Sequence, residues 1–196
     1  MSPIPGIVAS QIQGHLSTNN YTSIQSYAIG SGGASSVTFS SIPQTYTHLQ
    51  IRLIGRTSAT GATNNDIAFT VGNGSVDTGA NYSRHRFYGT GSANNSSGAP
   101  SVNYAGSEIG VLPASDQLAN VFGVGIIDIL DYTNTNKDKT MKILCGIDDN
   151  SGTTTSRLSL SSSTWYSTSA INIINLFSSG GWNLLQYSHI ALYGVK

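Results

Sequence analysis

Charge is what this sequence has least of. Only 9% of its 196 residues are Asp, Glu, Lys or Arg, and the nine acidic and nine basic residues cancel, where a globular domain usually carries about a quarter. A duplex-binding protein needs a basic field to neutralise phosphates, and a membrane-surface protein needs clustered cations, so neither partner is expected. Cysteine is nearly absent too: Cys145 stands alone, which excludes a disulfide within the chain. It lies in the apolar stretch "MKILCGI" and reads as a small buried hydrophobe. Glutamate occurs once, at Glu108, so a pair of catalytic carboxylates would have to come from Asp. No run of about eighteen apolar residues suggests a membrane span. "MSPIPGIVASQIQGH" lacks the basic and apolar regions of a secretory signal, so none is expected. Neither H-x-x-x-H nor C-x-x-C occurs, nor a G-x-S-x-G elbow or Walker loop, so no metal or cofactor is expected.

What fills the chain instead is Ser, Thr, Asn and 22 Gly, against 38% hydrophobic residues. Such a surface is soluble through hydroxyls and amides and costs little to bury against a neighbouring subunit. Period-two patterning recurs at 22–29, 36–40, 47–55, 66–72, 81–89, 120–132, 139–147, 156–162, 170–177 and 187–195. In "DIAFTVG", for instance, Ile67, Phe69 and Val71 share one face. "NVFGVGIIDILDY" is apolar on both faces, as central sandwich strands can be. Gly, Asn and Ser clusters such as "TGATNND" and "GTGSANNSSGAP" separate the strands and read as turns. The best helical segment, "PASDQLANVFG", offers one short turn with Ser115 as its cap. About ten strands with little helix indicate an all-β fold, a β-sandwich with jelly-roll topology expected, over residues 17–196.

Two segments interrupt the pattern. In "SVTFSSIPQTYTHLQIR", Pro43 cannot donate to a ladder and holds Ile42 extended, which predicts a corner between two layers of sheet. Tyr46 is placed to cover that corner with its ring and to bond backbone with its hydroxyl. Residues 1–16 are too rich in proline to start a sheet centrally and read as an extended arm. Either the segment is a frayed tail or an arm lying on its own domain, or Pro3, Ile4, Pro5, Ile7 and Val8 dock on a neighbouring chain, the prolines reducing the entropy lost.

Chemistry-bearing candidates are few. Asp128 and Asp131 adjoin an apolar strand but, three apart, face opposite sides of it, so capping of the "DYTNTN" turn suits them better than acid–base work. "DDNSG" lacks the acidic ladder of a calcium loop and reads as a solvated turn. His15, His48, His85 and His189 are isolated, and His48 and His189 alternate with apolar residues as on the polar face of a strand. Arg84, His85 and Arg86 form a basic knot flanked by aromatics. This pattern can stack on nucleic acid, but in a neutral chain it better fits an edge strand guarded by cations. Trp165, Tyr166, Trp182 and Tyr88 remain as aromatics for stacking on a glycan or anchoring an interface, the two tryptophans otherwise plugging the sandwich ends.

The blocks "SPIPGIVASQI", "GGASSVTFSSIPQTYTHLQIR", "TGANYS", "FGVGIIDILDYTNTNK" and "HIALYGVK", in this order over most of the chain, resemble a family of small virion structural proteins of tailed bacteriophages. Members often carry a short "FNGD"-like turn before the TGANYS block, where this chain has the longer "TVGNGSVD". The resemblance implies a non-enzymatic protein, made in the bacterial host cytoplasm and carried on the particle surface. It would decorate or cement the capsid as a homotrimer. The alternative it implies is a tail-fibre module that reads host-surface glycan. A polysaccharide-cleaving enzyme acting through Asp128 or Asp131 is a third reading, from the residues alone.

Overall fold

The structure is a computed structural model that describes residues 20–61, 64–90, 93–104, 106–149 and 156–196, and these contain strands, turns and bends but no helix. The strands are β1 (Tyr21–Ala28), β2 (Ser36–Phe39), β3 (His48–Gly55), β4 (Asn64–Asn73), β5 (Ser75–Val76), β6 (Tyr82–Thr90) and β7 (Asn94–Tyr104). There follow β8 (Ser107–Pro113), β9 (Gly123–Ile129), β10 (Lys139–Ile147), β11 (Arg157–Trp165), β12 (Ile173–Ser178) and β13 (His189–Val195). All ten expected strands are present. The further three, β5, β7 and β8, lie in segments whose Gly, Asn and Pro content reads as turn or loop. The arm residues Pro3, Ile4, Pro5, Ile7 and Val8 lie outside the described residues.

The strands form an all-β sandwich of two antiparallel sheets. The larger runs β1-β13-β3-β9-β10-β11-β6-β7, and the smaller runs β2-β12-β4-β5 with β8 also on β4. Within this order the pairs are nested: β1 with β13, β2 with β12, β3 with β9 and β4 with β8. The pairs β6–β7 and β10–β11 are insertions into that nest, and both extend the larger sheet.

Alternation in sequence becomes burial between the sheets. Leu49, Ile51 and Leu53 of β3 and Ile127 and Ile129 of β9 face Phe39, Ile67, Phe69, Val71, Ile174 and Leu176 from the smaller sheet, all buried. Cys145 is buried with them, and burial pushes its thiol up to about 11. The backbone of β8 passes so close to Cys145 that a Cβ on Gly110 (φ +152°) would lie 2.6 Å from the Cys145 Cβ. Glycine is required there by space as well as by φ.

The corner after β2 crosses between the sheets as the sequence implies. Ile42 donates to the carbonyl of Asn172 beside the smaller sheet (3.0 Å), and Thr47 donates to that of Val195 in the larger (2.9 Å). The Tyr46 ring covers the backbone of Gly194, where any Cβ would collide with it. The hydroxyl bonded to the Pro43 carbonyl belongs to Tyr132, however. "PASDQLANVFG" holds turns rather than a helical turn, and it is organised by Arg56. That buried guanidinium donates to the carbonyls of Leu118 (2.7 Å), Val121 (2.9 Å), Gln117 (2.7 Å) and Ser115 (3.1 Å).

Candidate functional surface

In β11 the usual polarity of a sandwich strand is reversed. Ser159, Ser161 and Ser163 face inward at 2–3% exposure, while Leu158 and Leu160 point outward at 62% and 51%. The serines face inward because a polar seam runs beneath this half of the larger sheet. Ser107 donates to Ser163 (2.5 Å), which donates to the carbonyl of Ser83 (2.7 Å). Arg84 and Arg86 turn inward from β6 to Glu108 of β8, Arg86 at 3.3 Å and also 3.7 Å from Asp66. Tyr88 lies between Arg86 and Arg157, whose guanidinium carbons sit 5.1 and 4.4 Å from its ring centre. The basic knot is therefore no guard of an edge: β6 is paired on both sides, with β11 and β7, and its arginines serve the interior.

The outward face of the same strands is apolar. Register places Ile54, Val124, Gly146, Leu158 and Gly89 in one row, and Arg52, Ile126, Leu144, Leu160 and Phe87 in the next. The third row is polar: Gln50, Asp128, Lys142, Ser162 and His85. Seven large apolar side chains in the first two rows are 40–62% exposed. The double-faced apolarity of β9 is thus real, but only one of its faces is covered; Val124 and Ile126 look outward. Gln50 donates to Asp128 (2.8 Å), and Lys142 sits 3.2 Å from the other carboxylate oxygen, so the polar row is internally neutralised. Arg52 stacks on Tyr21 and Tyr193 at 5.3 and 5.0 Å.

The sequence-derived aromatic candidates do not gather. Trp165 is buried, and its indole Nε1 donates to Asp77 Oδ2 (2.8 Å), so it plugs the strand end and presents no face to a sugar. Burial works to raise the Asp77 carboxyl, but donations from Trp165, Asn81 and Gly79 outweigh it and hold the group below the usual carboxylate value. The same knot explains "TGANYS": the Tyr82 hydroxyl, buried behind Asp77, bonds the backbone of Val71 and Asp77. Tyr166 is half-exposed and its hydroxyl accepts from Ser83 (3.1 Å). Trp182 is 39% exposed in the turn after β12, at the end of the smaller sheet away from Trp165. Tyr88 pairs with Ser159, six residues along β11 from Trp165, which is about 20 Å at strand rise.

Asp128 and Asp131 also part company. Asp128 lies on the outer face, while Asp131 follows β9 at φ +47°. Lys137 bonds Asp131, and together with nearby His48 (3.4 Å) it lowers the carboxyl below its usual value. The turn amide at Asn136 is capped by the Asn134 side chain rather than by either aspartate. Among the described residues no group of three or more His, Cys, Asp or Glu could hold a metal.

No family model and no curated protein matches the chain. A solved alginate lyase in complex with an alginate trisaccharide is 12% identical; the match covers 82% of this chain and 81% of that one, with a TM-score of 0.30.

Proposed function

We propose that this chain is a structural protein of a tailed-phage particle: a jelly-roll module that decorates or cements the head surface, docked by residues 1–16 and assembled as a homotrimer. The nested pairs β1–β13, β2–β12, β3–β9 and β4–β8 support the jelly-roll topology, because a long antiparallel ribbon rolled across two sheets leaves that pairing. The observation that carries an assembly role is the outer face of the larger sheet, where seven large apolar side chains stand exposed in two adjacent rows. A sheet that turns serines inward and leucines outward is shaped for contact with another molecule. The sequence blocks that resemble virion proteins supply the setting. The alternative, a tail-fibre module reading host glycan, draws on Trp182 and Tyr166, which are exposed but separate.

The test is capsid binding by the intact chain and by a chain lacking residues 1–16. The intact chain is expected to bind heads stripped of it, and the truncated chain to bind far more weakly. Equal binding would refute docking by the arm. Copies spread over the whole head support decoration, while a few at one vertex support the tail-fibre reading.

A further inference from the structure

We infer that the outer face of the larger sheet, from β3 across β9, β10 and β11 to β6, is a two-fold contact between copies of this chain. The occupant is a second copy because three properties of the face suit self-pairing. The first is extent. Ile54, Val124, Ile126, Leu144, Leu158, Leu160 and Phe87, at 40–62% exposure, offer on the order of 600 Å² of apolar surface, the upper end for a monomer's largest patch. With its polar border the face approaches the roughly 800 Å² that each partner contributes to a standard stable interface.

The second property is charge. Asp128 and Lys142 stand side by side in the polar row, on adjacent strands and 3.2 Å apart. A two-fold axis parallel to the strands and lying between β9 and β10 puts each Asp128 opposite the other copy's Lys142, with no like charges facing. The same axis sets Ile126 over Leu144, Leu158 over Ile54, and Val124 into the space above Gly146. An isologous contact uses one patch twice and needs only such self-complementarity.

The third property is shape. Rows of side chains standing on a regular sheet pack best against another such sheet, about 10 Å away. Beyond the Asp128–Lys142 pair, Arg52 is the one charge in these three rows, and its stacking on Tyr21 and Tyr193 leaves little for a strongly charged partner to select.

Light scattering on the full chain tests this, alone and with the outer face altered by Leu144→Lys together with Leu160→Lys. The expected wild-type mass is an even number of copies, halved in the variant. Six copies would support both this contact and the trimer proposed above; two would support this contact and refute the trimer. Three copies, or one, would overturn the contact, as would an altered chain of unchanged mass. If the lysine variant loses its strand signal in circular dichroism, Leu158→Thr with Leu160→Thr keeps strand propensity and carries the same test. A full chain that is monomeric, but pairs once residues 1–19 are removed, would assign the face to that segment and overturn the inference.

Discussion

Replacing Arg56 by methionine should unlatch the connection between β8 and β9. The guanidinium is buried at 7% exposure and donates four bonds to carbonyls between Ser115 and Val121. Bonds to a charged group are worth about 1.5–3 kcal/mol each, so four together set a ceiling of roughly 6–12 kcal/mol. Two effects bring the real cost far below that. The carbonyls lie on an exposed loop and regain water when the arginine is gone, and the protein is relieved of burying a cation. The expected loss is about 3 kcal/mol, which for a chain of this length lowers Tm by roughly 6–12 °C. Arg56→Lys should cost about half as much, because an ammonium reaches some of the carbonyls but cannot fork across all four. Urea melts measure both variants, and amide exchange at Gln117 and Val121 should accelerate in the methionine variant. A methionine variant within 0.5 kcal/mol of wild type, with those amides still protected, would show that the loop holds itself.

Gly110→Ala should destabilise by roughly 3 kcal/mol in a denaturant melt, since its Cβ would overlap Cys145 and its φ of +152° strains any L side chain. Stability should fall as pH rises from about 9 to about 11. The unfolded thiol loses its proton near 9 while folded Cys145 holds its own to about 11, so the loss is roughly 3 kcal/mol by linkage. Cys145→Ala should remove that part of the alkaline slope, and the native thiol should resist alkylation at neutral pH. Trp165→Phe should cost about 1–2 kcal/mol at pH 7 by deleting the bond to charged Asp77. A carboxyl held below its usual value stabilises the fold above about pH 4 and loses that contribution in acid. The variant's deficit should therefore shrink toward pH 3, and an undiminished deficit there would mean packing alone is at stake.

The strands legible in the sequence were those whose alternation reports burial on one side, such as Ile67, Phe69 and Val71, all of which reach the core. β7 escaped because it pairs with β6 alone, and an edge strand tolerates the Gly, Asn and Pro that mimic a loop. β8 escaped because "SEIGVLP" carries Glu108 and Gly110 for partners far away in sequence, Arg84 and Cys145. The outer face was hidden for a related reason. Alternation in "SRLSLSS" announces a strand but not which side is inside. That depends on Glu108 drawing Arg84 and Arg86 under the neighbouring strand and making the serine side the compatible one. Read together, the arginines of "YSRHRFY" and the lone glutamate were the available signal. For Trp165 the sequence leaves stacking surface and sandwich plug both open, because the partner that decides it, Asp77, lies 88 residues away.

The place of β13 sets an order of events in the cell. It lies between β1 and β3, closing a seam inside the larger sheet rather than trimming its margin. Until those seven residues have left the ribosome, the first strand has no ladder to join and β3 is paired on one side only. A nonsense codon near His189 would therefore strand β1 and halve the support of β3, and its product should be cleared by proteases.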